Sequence, residues 1–485
     1  MEALFGELTR RFGPKRCLTQ PESLLAYECD GFTIHRQRPL AVVLPEDTEE
    51  VVAAVRLLHA HRVAFLPRGA GTGLSGGATP TEPLVILDTA RMKRVLRVDP
   101  EERIATVQPG VVNLDLTRHV RAHGLHYAPD PSSQSVCTIG GNLAENSGGP
   151  HCFKYGMTTD HVLGAKVVLP DGTLVELGGP AGARPCGGLD LTGLFCGSEG
   201  TFGIATEITV RLSPDPESTV TLLASFRSMR DACGACSDIV AAGLVPAALE
   251  ILDKATIGAI EASVYRAGYP ADAAAVLLVE LDGPAAATEA DAEEVLMLCR
   301  SRDAIAIETA HSPEDRLRLW KGRKGAFGAM GRLSTDLYVL DGVVPRTRLI
   351  DTLETITAIG AKYRVTLTNV FHAGDGNLHP NIAYDGRDAE ETQRVVAAGM
   401  EILRTCVAAG GSITGEHGIG SEKLDHVALM FTAEDLEVME RVRSVFNPDG
   451  RCNPGKVLPT RNSCAEVGRW PEMVARVLDP GGPSP

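Results

Sequence analysis

Positive charge is scarce in this 485-residue chain. Lys and Arg number 47 against 62 Asp and Glu, a formal net charge of −15. Binding a phosphate backbone needs clustered Lys and Arg that release counterions, so nucleic acid is excluded as a partner. Long apolar runs are also lacking. None approaches the roughly 20 residues that a membrane-spanning helix needs, which excludes direct membrane insertion. The N-terminal stretch MEALFGELTRRFGPKRC mixes charged with apolar residues and has no secretory h-region. It reads as an amphipathic helix and places the protein in the cytoplasm. Cysteines number 12, but none is grouped as zinc sites require. The one CxxC, Cys233–Cys236 in RDACGACSDIV, has no second pair and reads as two small residues on a packed helix. A reduced compartment fits that usage.

What is present is a soluble globular composition, 44% hydrophobic and 22% charged, in a chain long enough for two to four domains. The first third alternates strands with helices. LAVVLP (40–45) and VAFLP (63–67) read as strands around a helix whose N-cap is Asp47 or Thr48 and whose inner face is Val51, Val52, Val55 and Leu58. Residues 94–110 and 164–177 read as hairpins turning at Asp99-Pro100 and Asp171-Gly172. Asn113 caps a helix that Gly124 ends. From about residue 216 the texture changes to strands at 220–226, 274–283, 304–310 and 336–345 separated by longer helices, a second α+β domain.

Glycine is in excess, 51 residues, and it is clustered. RGAGTGLSGGA (68–78) holds seven Gly or Ala in eleven positions; CTIGGNLAENSGG (137–149) and GSEGTFGI (197–204) follow. Glycine lets backbone approach a ligand closely, and successive N–H groups in such loops make an anion-binding nest. The first cluster suits a pyrophosphate. It is not a Walker A loop, since no Gly-Lys-Ser/Thr follows, and Gly76-Gly77 oppose the long helix of a Rossmann fingerprint. One such cluster alone is more readily a turn than a site; three within residues 68–212 reverse that reading.

NVFHAGDGNLHPNI (369–382) places His372 and His379 at the ends of a tight turn. GGSITGEHGIGSEK (410–423) places Glu416 and His417 side by side between glycines. His372, His379 and Glu416 make a His₂Glu set with open positions, the pattern of a catalytic metal site. Surface histidines on a hairpin are the plainer alternative.

The order of these motifs resembles that of the vanillyl-alcohol-oxidase-type flavoproteins. FHAGDGNLHPNI and GEHGIG are similar to motifs of their FAD-dependent 2-hydroxyacid dehydrogenases, a subgroup that includes D-lactate dehydrogenases, D-2-hydroxyglutarate dehydrogenases and the flavin subunit of bacterial glycolate oxidase. ALEILD (248–253), LWKGRKGAFGAMGRLSTDLYVLDGVVPR (319–346), NPDGRCNPGK (447–456) and the tail CAEVGRW (464–470) look most like the last of these branches. The resemblance implies an α+β fold: a two-part FAD-binding domain at 1–215 with a returning segment at 441–485, and an α+β substrate (cap) domain at 216–440 that carries the metal site. It implies non-covalent FAD. Arg68, Gly69, Ala70, Gly71, Thr72, Gly73, Leu74, Ser75, Gly76 and Gly77 would wrap the pyrophosphate. Thr138, Gly140, Gly141, Asn142, Asn146 and Gly149 would line the flavin, Gly203 and Ile204 would meet the adenine side, and Asn453 would touch the cofactor. His372, His379 and Glu416 would hold a divalent metal, zinc foremost.

The implied reaction is oxidation of a small 2-hydroxy acid, glycolate or D-lactate, with hydride passing to flavin N5. His417 would be the base, Arg323 the carboxylate clamp, and Asn381 a hydrogen-bond partner. Some relatives carry a substrate-binding lysine where this chain has Val339, which favours a small monocarboxylate over 2-hydroxyglutarate. The chain has no iron–sulfur cysteine motif, so electrons leave to a partner or a soluble acceptor. The resemblance implies a second FAD-domain subunit and an iron–sulfur subunit, and through them an association with the inner face of the membrane. Two other readings stand beside this one: a metallohydrolase whose glycine loops bind phosphate, and a non-catalytic subunit.

Overall fold

The computed structural model describes residues 1–178 and 188–459; the tail CAEVGRW lies outside them. The chain divides into two compact units. One comprises Met1–Gly148, Met157–Asp215 and the chain from Glu416 onward; the other comprises Gly149–Gly156 and Pro216–Gly415. The return to the first unit therefore starts at Glu416, not at 441, so that Glu416–Gly420 lie in the unit that holds the first glycine cluster. The sequence reading set this boundary by loop texture, which changes only after the helix Ala433–Phe446.

In the first unit the amphipathic helix Glu2–Phe12 buries Leu4, Leu8 and Phe12, one residue per turn. The helix Thr48–Ala60 starts at Asp47, whose carboxylate accepts the Glu50 amide at 2.9 Å. Ala41–Val43 and Phe65–Arg68 each run parallel to Val85–Asp88, and Cys17–Leu18 adds an antiparallel edge. A second, antiparallel sheet runs in the order Val95–Asp99, Ile104–Val107, Ile204–Arg211, Val162–Val168, Leu174–Leu177. Asn113 does not cap its helix. It is the first helical residue, buried, and its amide donates to Pro129 O and Asn142 Oδ1 at 2.9 Å each. Gly124, with φ of +66°, ends the turn that follows.

The second unit is built on an antiparallel sheet ordered Ala306–Thr309, Ser218–Phe226, Ala275–Gly283, Ala248–Asp253, Thr366–His372. The last strand turns through Asn377–Leu378 into Pro380–Tyr384, which pairs back on it and on Asp336–Val339. Cys233 and Cys236 lie fully buried on the helix Met229–Ala241, where burial pushes the Cys233 thiol up to about 12; both act as packing residues. No helix among the described residues is long and apolar enough to cross a membrane.

One face of this sheet carries two glutamates among apolar neighbours. Leu223, Ala248, Leu252, Val276 and Leu278 pack there against Leu319 and Trp320 of the helix Pro313–Lys324. Glu280 and Glu250 share that face, since Glu280 pairs with Ala248 and Glu250 with Leu278. Glu280 accepts from Arg316 at 2.6 and 2.8 Å, from Trp320 Nε1 at 2.6 Å and from Thr221 at 2.6 Å, with His151 Nε2 at 3.2 Å. Burial alone would raise its pKa. Hydrogen bonds and charge from Arg316 and His151 outweigh burial and hold it well below the ordinary 4.5. The carboxylate's stabilising contribution is therefore complete above about 4.5 and is lost as pH falls further. Glu280→Ala orphans the Trp320 and Thr221 donors and should cost on the order of 3 kcal/mol at pH 7. The difference from wild type, measured by urea unfolding, should shrink below pH 4; a pH-independent loss under 1 kcal/mol would contradict the network's role.

Candidate active site

The sheet register places the second unit's chemical groups. Glu250 lies opposite His372, so both side chains project from one face. Arg323, on the last turn of Pro313–Lys324, reaches the same place from the helix side. All three are at most 4% exposed. Glu250 Oε2 accepts from Arg323 Nε at 2.5 Å, and Oε1 meets His372 Nδ1 at 2.5 Å. Burial raises the Glu250 pKa, but the Arg323 and His372 charges overcome it and leave the group below its ordinary value. The Arg323 Nη2 atom is buried with no partner among the described residues, in a guanidinium otherwise fixed by Glu250.

The turn brings His379 back to His372, ring centroids 5.0 Å apart and planes at 90°. His379 Nδ1 lies 3.2 Å from the Leu340 carbonyl and 3.8 Å from Asp341. A ring that donates Nδ1–H carries its lone pair on Nε2, and metal-bound histidines are oriented by such second partners. The donor set therefore fits a divalent metal. Asn381, fully buried, donates to His379 O at 2.7 Å, and its Oδ1 has no partner among the described residues. Val339 lies directly opposite Asn381, on the same side of the sheet. The second unit ends at Thr414 and Gly415, both bonded to Asp341 Oδ2, at 2.7 and 2.9 Å.

Glu416 and His417 begin the first unit's returning loop. Ser75 Oγ donates to the His417 carbonyl at 2.9 Å, and Ser75 O accepts from the Ser421 and Glu422 amides at 3.0 Å each. Glu199, from the third cluster, accepts the Ile419 and Gly420 amides at 2.7 Å each. Gly418, at φ +82°, must be glycine: a Cβ there would stand 2.6 Å from both the Glu145 and Glu199 carboxylates. Burial raises both of these carboxyl pKa values, and Glu145 Oε2 has no partner among the described residues. Nearby, burial lowers Lys456 to about 8 while its Nζ donates to Thr79 O at 2.6 Å.

The first cluster keeps the character of a nest. Among the described residues, no backbone N–H from Gly69 to Gly77 donates to a protein acceptor. Arg68 staples the loop, its guanidinium bonded to Ala78 O at 2.8 Å and Cys29 O at 2.9 Å. Gly76, at φ +77°, lies where a Cβ would come within 2.4 Å of Ser421 Oγ. These donors fit a pyrophosphate. The second cluster is bonded internally. Thr138 caps Ile139–Glu145 through the Gly141 amide, the Gly140 amide reaches Pro109 O, and Asn142 accepts from Asn113. Asn146, at φ +53°, accepts the Thr159 amide, while Gly149 falls in the second unit. Gly203 precedes the strand that Ile204 opens, and the Ile204 side chain lies in the core. Asn453 ties the clusters together: Nδ2 donates to Gly77 O at 3.0 Å and Glu199 O at 2.6 Å.

Residues 39–178 match the family "FAD binding domain", and residues 215–457 match "FAD linked oxidases, C-terminal domain". The chain belongs to the FAD-linked oxidases. It is 47% identical over 92% of its length, and 89% of the relative's, to glycolate oxidase subunit GlcD of Escherichia coli K12. It is 41% identical, covering 93% and 96%, to GlcD of Bacillus subtilis. A D-lactate dehydrogenase of Anaerostipes hadrus is 32% identical, covering 93% and 96%. The fold is that of the vanillyl-alcohol-oxidase-type enzymes. p-Cresol methylhydroxylase superposes with a TM-score of 0.80 at 17% identity, covering 94% of this chain and 96% of that one. 4-Ethylphenol oxidase of Gulosibacter chungangensis gives 0.77 at 20%, covering 95% and 98%. The FAD-linked oxidase is thus an FAD-dependent oxidoreductase.

Sequence reasoning missed Glu250, Glu145 and Glu199. Glu250 stands in the quoted ALEILD, where a lone acid in an apolar strand was the available signal. Asn453→Ala should free the nest from the third cluster. We expect a loss of about 1–3 kcal/mol, seen as a lower melting temperature, and FAD that leaves on gel filtration. A variant with wild-type melting and full FAD would show that the nest holds without this tie.

Proposed function

We propose that this FAD-linked oxidase oxidises a small 2-hydroxy acid, glycolate or D-lactate, to the 2-oxo acid, using FAD and a divalent metal, zinc foremost. The observation that carries this reading is Arg323: a buried guanidinium fixed through Nε, with Nη2 unpartnered, beside two histidines oriented through Nδ1. Such a group binds a carboxylate. Bound FAD would supply the two-electron acceptor, and the metal a Lewis acid that lowers the substrate hydroxyl pKa. His372 and His379 would hold the metal, with Glu416, the residue after Gly415, as third ligand. The amides of Gly69–Gly77 would hold the FAD pyrophosphate, with the second cluster, Gly203, Ile204 and Asn453 lining the rest of the cofactor.

Arg323 binds the substrate carboxylate and so fixes the position of C2. Asn381, held by its bond to His379 O, would offer its carbonyl to a donor on the bound flavin. His417 takes the hydroxyl proton; its backbone is pinned through Ser75, so its ring is presented from a rigid loop. Val339 sets an apolar wall opposite Asn381, where a dicarboxylate would need a cation. The GlcD relatives are named as subunits of glycolate oxidase. We accordingly assign the electrons to a partner subunit or a soluble acceptor: a second FAD-domain subunit and an iron–sulfur subunit, in the cytoplasm at the inner face of the membrane. The match to an FAD-binding domain removes the support for a phosphate-binding metallohydrolase.

Two substitutions separate the roles. His372→Ala should lower zinc content, with activity partly recovered in excess metal. His417→Asn should keep zinc and FAD while turnover falls by on the order of 10²–10⁴. If His417→Asn lost zinc as fully as His372→Ala, His417 would be a ligand and the base would lie elsewhere.

A further inference from the structure

Glu250 stands among apolar strand neighbours: Ala248 and Leu252 flank it on the same face, and Leu278 lies opposite on one side with His372 on the other. A fully buried carboxylate in such a place is retained only where its charge is compensated. Here both oxygens are engaged, and by different kinds of group. Oε2 takes the Nε–H of Arg323 and Oε1 takes Nδ1 of His372, each at 2.5 Å. One oxygen aligns the guanidinium whose Nη2 is unpartnered, and the other fixes the tautomer and ring plane of the imidazole.

We propose that Glu250 is a positioning residue that serves substrate clamp and metal ligand together, setting their separation and tying the affinity for metal to that for the hydroxy-acid carboxylate. The inference rests on the metal-dependent reading above. Its chemistry separates it from ordinary core charge pairing. A glutamine at 250 has one accepting oxygen, so its amide N–H₂ must face either Arg323 or His372, and one of the two is displaced. An aspartate keeps the charge but is one methylene shorter, so it cannot hold both donors in place.

The test uses the FAD-loaded protein stripped of metal, with zinc alone as probe. Zinc affinity is read by competition with a chromophoric chelator, and glycolate KM and kcat are read after reloading. Glu250→Gln should weaken zinc by about 10–100-fold and raise KM. Glu250→Asp should fall between Glu250→Gln and wild type in both. Arg323→Lys should raise KM with zinc affinity within about twofold of wild type, because it leaves His372 oriented. Near-UV circular dichroism checks the fold. Should Glu250→Gln fail to fold, Glu250→Asp decides: zinc affinity and KM both at wild-type values overturn the inference. Wild type that takes up zinc beside a Glu250→Gln variant of equal zinc affinity overturns this inference alone. Wild type that takes up no zinc overturns the metal-dependent reading and this inference with it.

Discussion

The second unit is organised around the need to compensate one buried charge. Glu250 is fully buried in the middle of the sheet, and an uncompensated carboxylate there would cost several kcal/mol. Its partners come from opposite directions, Arg323 from the helix above and His372 from the neighbouring strand. Helix position and strand register are thereby fixed to each other. A one-residue slip of Thr366–His372 would turn His372 to the other face and strand the charge. Glu280, diagonal to Glu250 on the same face, ties Arg316, Trp320 and His151 in a second ionic cluster. Between them the two glutamates hold the helix Pro313–Lys324 at both ends.

The first unit solves a different problem, that of keeping backbone donors oriented without satisfying them. The amides of Gly69–Gly77 make no bonds among the described residues, so the loop must be held by other atoms. Arg68 joins its ends, Ser75 carries the returning loop, and Asn453 bonds the Gly77 carbonyl. Each restraint uses a carbonyl or a side chain and leaves the amides as open donors among the described residues. That is the arrangement an anion-binding loop requires.

Much of this was legible in the sequence because the relevant chemistry is local. The glycine clusters, the histidine turn and Asp47 as cap are set by neighbours within a few positions. What was not legible depends on packing across the chain. Asn113 has the composition of a cap, yet tertiary contacts to Pro129 and Asn142 outweigh that propensity. GEHGIG adjoins the second unit in sequence, but its Ile419 and Gly420 amides are fixed by Glu199, more than two hundred positions upstream. Glu250 carries no motif; only sheet register reveals that His372 lies opposite.

On the proposed reading, bound flavin receives electrons from a small 2-hydroxy acid held by Arg323. Anaerobic mixing of the yellow protein with glycolate, D-lactate and D-2-hydroxyglutarate, followed by flavin absorbance, tests it most directly. We expect rapid bleaching by glycolate or D-lactate, slower bleaching by the dicarboxylate, and loss of the fast phase in Arg323→Ala. Flavin that no hydroxy acid bleaches, or that 2-hydroxyglutarate bleaches fastest, would contradict it.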